Sequence, residues 1–108
     1  MNKLENAATQ ISQAMYQELL ADGGEVEVDI FENSVEIIKI IAGIEGRGSG
    51  TRAMKVACDL ADKLNIQLIL TPDGSYYEDE IRAQKRLRIF YARFGFISEN
   101  NKMVRLPN

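Results

Sequence analysis

The chain has 108 residues, 45% of them hydrophobic and 27% charged, with a formal net charge of -3. That is the make-up of one ordinary globular domain, and its mild acidity excludes a general electrostatic attraction to nucleic acid or anionic membrane. There is no His and a single Cys, Cys58, which together remove His-based acid–base work, catalytic triads, an intrachain disulfide and a cysteine zinc site.

Residues 1–10 are polar and lack the basic-then-apolar order of a signal peptide, and no apolar run approaches a membrane span. An intracellular, cytoplasmic protein is therefore expected. Residues 3–21 carry Leu4, Ala8, Ile11, Met15 and Leu19 three or four apart, the spacing of an amphipathic helix, which Gly23 and Gly24 end. Residues 25–31 alternate from Glu25 to Ile30 as a strand with one wet face. After a turn at Glu32-Asn33-Ser34, residues 35–44 alternate and then become almost wholly apolar. That predicts a second strand, covered on both faces, in a hairpin with the first.

A helix is predicted over residues 51–64, with Met54, Ala57, Leu60, Ala61 and Leu64 as its buried stripe. Arg52 and Lys55 sit near its start, against the macrodipole, which suits a docked polyanion better than a purely structural helix. Cys58 reads as a small packing residue. Residues 65–71 form a short strand, and the strand–helix–strand spacing predicts a right-handed crossover with parallel strands. The last helix spans residues 78–94, with Ile81, Leu87, Phe90, Tyr91 and Phe94 near one side and its acids preceding its bases. Residues 96–99 and 102–106 then make a hairpin around Asn100-Asn101. The whole is expected to be a single α+β domain, residues 1–108, in the order α-β-β-α-β-α-β-β around a mixed sheet.

The stretch with most chemical content is residues 37–64. An apolar strand ends in a loop holding Gly43, Gly46, Gly48 and Gly50, with Arg47, Ser49 and Thr51 among and after them, and the loop opens into a helix. Strand, Gly-rich turn and helix aim backbone N–H groups and a positive helix end at a phosphate. No Gly-Lys-Ser/Thr follows, so this is not a Walker A loop, and the alternating glycines do not match the dinucleotide fingerprint G-x-G-x-x-G. A tight ligand-free connection is the alternative.

Two stretches in this order, Glu45-Gly46-Arg47-Gly48-Ser49-Gly50 and Phe90-Tyr91-Ala92-Arg93-Phe94-Gly95-Phe96, resemble the GNAT family of N-acetyltransferases. The family's acetyl-CoA loop is commonly written Q/R-x-x-G-x-G/A, and its later helix commonly ends in Tyr, three residues, then Gly-Phe. The resemblance covers roughly residues 25–106. Glu45 stands where the family has Gln or Arg. Only one helix precedes the first strand, where the family usually has an extra strand and two helices that wall the acceptor site. Very small members of this kind occur on phages and mobile elements, including some anti-CRISPR proteins.

The resemblance implies an N-acetyltransferase that uses acetyl-CoA on a primary amine of a protein or small molecule, by direct attack. The alternative is a non-catalytic binding or inhibitory protein of the same fold. It implies that Ile40, Ile41 and Ala42 bind the pantetheine arm through their backbone, with an N–H at Ile41 or Ala42 polarising the acetyl carbonyl. Glu45, Gly46, Arg47, Gly48, Ser49, Gly50 and Thr51 form the pyrophosphate loop, Arg47, Arg52 and Lys55 meet outer phosphates, and Gln84 touches the pantetheine arm. Tyr91 becomes the proton donor to the leaving thiolate, with a plain core tyrosine as the other reading. Glu36 is the chosen base among the strand acids Glu25, Glu27 and Glu36. Tyr76 and Tyr77 either line the acceptor site or pack the loop. No metal, membrane or direct nucleic-acid partner is implied, the acids Glu25, Glu27 and Asp29 suit a cationic acceptor, and a homodimer is compatible with the open sheet edge.

Overall fold

A computed structural model describes residues 2–75 and 77–108 of the chain. Helix α1 (Lys3–Leu19) starts at Asn2, whose side-chain oxygen accepts from the Glu5 N–H at 2.8 Å. A single 3-10 turn (Leu20–Asp22) follows, and Gly23 closes it in the left-handed region at φ 72°. Then come strands β1 (Glu25–Phe31) and β2 (Ser34–Ile41), helix α2 (Ser49–Leu64), strand β3 (Gln67–Leu70), helix α3 (Glu80–Ala92) and strands β4 (Ile97–Glu99) and β5 (Lys102–Arg105). The fold is α+β: three helices and one five-stranded mixed sheet in the order β1-β2-β3-β5-β4.

The parallel crossover expected from the spacing is present. Strands β2 and β3 pair in parallel from Ser34↔Gln67 to Ile37↔Leu70, and every other pairing is antiparallel. The pleat then sorts the side chains. Val35, Ile37, Leu68, Leu70 and Met103 share one face and join Ile11, Met15 and Leu19 of α1, Met54, Ala57 and Ala61 of α2, and Tyr91 of α3 in a single core. Ile69, Val104 and Ile97, linked across the strands by register, point the other way and lie outside that core. The apolar core therefore lies on one side of the sheet. On the opposite face Lys102 reaches Glu36 at 3.5 Å and the Phe31 ring at 4.7 Å, so its stem crosses β3 and shields Ile69.

Two expectations need correction. Strand β2 was expected to be covered on both faces to residue 44. It stops at Ile41, and Ile38, Ile41 and Ile44 are 47%, 43% and 51% exposed. Ile81 was placed on the buried side of the last helix but is 74% exposed. The helix begins at Glu80, and its contacts to the core come from Leu87, Phe90 and Tyr91 onward. Among the described residues, no helix is long and apolar enough to cross a membrane.

Candidate functional site

The site arises where two parallel strands part. Strand β3 ends at Leu70, opposite Ile37, while β2 continues to Ile41. Against β1, Val28 faces Ile37 and Glu27 faces Lys39, so Ile38 is an extra residue, a β-bulge. A bulge bends its strand and raises local twist. Here it coincides with the separation from β3. Between the parted ends lies a cleft of about 350 Å³, walled by Ile38, Ile40, Ile41 and Ala42 on one side and by Leu70, Leu87 and Tyr91 on the other. Beyond Ile37 the backbone of β2 has no strand partner on the β3 side. Its N–H and C=O groups there are available to an extended ligand.

The glycine loop continues from the mouth of this cleft. It is anchored rather than loose: the Ile44 N–H donates to the Asp22 carbonyl at 3.0 Å, and a side chain at Gly43 (φ 78°) would collide with that same carbonyl. Gly46 (φ 81°) has open space where a Cβ would go. Gly48 (φ 77°) is the residue before α2, and no side chain caps that helix. The Ser49 hydroxyl is turned inward and donates to the Ala42 carbonyl at 3.1 Å. The first-turn N–H groups of α2 thus keep their positive end uncapped, with no acid in the first turn, as an anion site requires. Arg52 donates to the Arg47 carbonyl at 2.8 Å and to Glu18 at 3.3 Å, and Arg47 lies 3.9 Å from Asp22. These contacts hold the two arginines beside the loop.

Tyr91 reaches the cleft from α3. Its ring packs edge-on against Phe90 and Phe96, with centroids at 5.3 and 6.1 Å. Burial, and then the neighbouring Tyr77 phenol, push its hydroxyl up to about 12. It therefore stays protonated at physiological pH. Tyr77 lines the same cleft, whereas Tyr76 lies outside the described residues. Glu45 lines the cleft as well and is exposed. Cys58 is buried, and burial pushes its thiol up to about 11, so it is a packing residue, as the lack of any His base suggested.

Of the predicted site residues, Ile40, Ile41, Ala42, Glu45 and Tyr91 meet at the cleft, and Gly46 to Thr51 form the adjoining loop and helix start. Three others do not. Gln84 uses both ends of its amide to hold the loop before α3, accepting from the Gly74 N–H at 2.9 Å and donating to the Pro72 carbonyl at 2.7 Å. Its amide is thus engaged with that loop, and Gln84 is not among the residues that line the cleft. Glu36 projects from the opposite face of β2 and pairs with Lys102. It lines an adjoining depression with Asp73 and Glu80, which shares Ile37, Ile38, Thr71 and Asp73 with the cleft. Lys55 pairs with Asp59 one turn further along α2, away from the loop. Sequence reasoning missed Asp22 and Glu18. Glu18 comes from the last turn of α1 and Asp22 from the 3-10 turn after it, and both are brought to the loop by the packing of distant elements.

No known protein family and no curated protein matches this chain in sequence. It is similar in structure to an anti-CRISPR protein, AcrVA5, at TM-score 0.56 and 22% identity, over 76% of this chain and 88% of that one. At that identity the likeness is one of fold. The GNAT resemblance drawn from the two motifs is thereby overturned as a family assignment. A glycine loop before a helix and a Tyr-x-x-x-Gly-Phe helix end are each short, and strand-to-helix turns and helix C-caps select such residues for backbone reasons alone.

Proposed function

We propose that the protein is an N-acetyltransferase, taking the acetyl group of acetyl-CoA to a primary amine of a protein or small molecule. The reading rests on the cleft and not on family membership. The observation that carries it is the parting of β2 from β3 beside an uncapped helix end, with a protonated phenol across the gap. A long ligand with an anionic head and an amide-bearing arm matches that sequence of groups. First-turn N–H groups of α2 and the loop at Gly46–Thr51 take the pyrophosphate, and the free backbone edge at Ile40–Ala42 takes the arm.

Acetyl-CoA supplies a thioester, an acyl group already activated toward amines. The chain's own part is to orient and stabilise. A backbone N–H at Ile41 or Ala42 donates to the acetyl oxygen as negative charge builds there. The amine nitrogen forms its bond to the carbonyl carbon as the carbon–sulfur bond breaks. An ammonium acceptor gives up two protons in all, one before attack and one as the amide forms; one of them reaches the thiolate by way of solvent and the other is released. At about 12, Tyr91 is a weaker acid than a thiol of about 8.5. Its main effect is then a hydrogen bond to the leaving sulfur, with little net proton transfer. The amine enters from the adjoining depression, where Glu36, Asp73 and Glu80 favour a cation, and Glu36 takes its proton through water.

A second reading is a non-catalytic inhibitory protein, encoded like many inhibitors on a phage or mobile element and acting in the cytoplasm. It is the one that the fold's likeness to an anti-CRISPR protein suits. Calorimetric titration with acetyl-CoA and with CoA tests the first reading. One-to-one binding in the micromolar range is expected, and no heat at millimolar ligand overturns it. Tyr91→Phe then separates the two: acetyl transfer falls by about 10²-fold with CoA affinity kept if the phenol acts on sulfur, while an inhibitory effect untouched by the change supports the second.

A further inference from the structure

The exposed side of α3 is built unlike the rest of the surface. Ile81 and Ile89 are 74% and 63% exposed, the first and Ile97 being the most exposed large apolar residues described. They lie eight residues apart with Lys85 between, at i, i+4 and i+8, so they share one helical line about 12 Å long. Arg82, Arg86 and Arg93 border that line and are exposed. Arg82 pairs with Asp79 at 3.5 Å, but Lys85, Arg86 and Arg93 pair with no carboxylate among the described residues. The helix's core-facing side is already served by Leu87, Phe90 and Tyr91. The two isoleucines are not part of the core packing.

The charge is segregated. Residues 81–93 hold five of the 13 basic residues and no acid, with Glu78, Asp79 and Glu80 gathered ahead of them, in a chain whose net charge is -3. On β1, an edge strand of the sheet, Glu25, Glu27 and Asp29 face solvent. Such separation creates a local positive field on an acidic molecule, and a field of that kind steers partners and fixes their orientation.

We propose that the outer face of α3 is a docking surface for an acidic protein segment, one that sets an apolar side chain onto Ile81 and Ile89 and carboxylates onto Lys85, Arg86 and Arg93. Charge complementarity gives the sign of the partner, and the isoleucines give its class. A phosphate backbone gains nothing from two isoleucines, and nucleic-acid surfaces of this kind interleave bases with aromatics that stack. A lipid surface needs a continuous apolar face, and this helix has spent its own on the core. The acids of β1 would also be repelled by any extended polyanion. A protein segment of small footprint avoids that.

The test uses the full chain and a labelled synthetic peptide alternating Glu pairs with Leu, followed by fluorescence anisotropy at low and at physiological salt. Saturable binding that weakens with salt is expected. Lys85→Glu with Arg86→Glu should weaken it by about tenfold or more, and Ile81→Ser with Ile89→Ser by a similar factor. All four positions are solvent-facing, so thermal melting by circular dichroism should be unchanged in both variants. Three outcomes overturn the proposal: no peptide binding, equal binding of a Glu-only peptide with no effect of the serine changes, or tighter binding of single-stranded DNA or phosphatidylserine vesicles that depends on the same residues.

Discussion

The two ends of the central strands are made from the same helices in opposite senses. At one end the last turn of α2 and the end of α3 converge on Arg105, whose side chain is only 7% exposed. Its guanidinium donates to both oxygens of Asp62, at 2.7 and 3.0 Å, and to the Phe94 carbonyl at 2.6 Å, while the Asn108 N–H completes the same carboxylate. Each of the three guanidinium nitrogens has an acceptor, and the cation sits where helix C-termini are negative. At the other end the first turn of α2 is left without a cap and β2 without a neighbour. One end is closed chemically and the other is held open, with loop anchors from Asp22 and Glu18 keeping its shape. Rigidity and availability are thus placed at opposite ends of one helix.

The largest effect expected from breaking this contrast is at the closed end. Arg105→Ala leaves the Phe94 carbonyl without its donor and Asp62 with only the Asn108 N–H, and should lower unfolding stability by about 3 kcal/mol in urea denaturation, the low end for a buried pair because Asp62 is partly exposed. Arg105→Lys should not restore it, because an ammonium cannot span both carboxylate oxygens. Next comes Gly43→Ala, which forces a side chain onto the Asp22 carbonyl at positive φ. A loss of about 1–3 kcal/mol is expected, together with loss of CoA binding by calorimetry. If binding survives, the loop's conformation is not what holds the anion.

The closed end also has a pH signature. The hydrogen bond from Arg105, against the opposing effect of burial, holds Asp62 down at about 2 from an ordinary 3.8. A depressed carboxylate stabilises the fold fully above its unfolded value and loses that contribution as the pH falls toward 2. Melting temperature should therefore drop with acid over that window in the parent, and less steeply in Asp62→Asn, which starts lower. The smallest effect is at Glu18→Gln. It removes a half-exposed pair with Arg52 and should change stability by less than about 1 kcal/mol. A cost comparable to that of Arg105→Ala would show the open end to be as rigidly built as the closed one.

Much of the fold was legible because it is written locally. The alternation from Glu25 to Ile30 gives β1 its bounds, the crossover spacing gives the parallel pair, and Asn100, at φ 60°, turns the last hairpin as an Asn can. The loop and Tyr91 were legible for the same reason. What was not legible depends on distant partners. An isoleucine-rich, almost wholly apolar run reads as doubly buried, yet the end of β2 is exposed because β3 stops four residues sooner. Asp62 and Arg105 stand 43 positions apart, and neither lies in a pattern that announces the other. Gln84 was read as a ligand contact from its place on the helix; that its amide also holds the loop at Pro72 and Gly74 depends on a turn no local pattern announces. The family name suggested by two short motifs failed for a related reason: such motifs report backbone requirements that many unrelated chains share.

The bulge at Ile38 has an arithmetic consequence. In a plain strand, Ile37 inward would put Lys39 inward and Ile40 outward. The one additional residue resets the count, so Lys39 faces Glu25 and the solvent, and Ile40 packs toward the core. Removing Ile38 would leave Lys39 opposite Glu27 and Ile40 opposite Val26, as they already are, so both halves of the strand would keep their faces and only the bend would be lost. One residue therefore separates a plain hairpin strand from one that turns away from β3 beside a cleft.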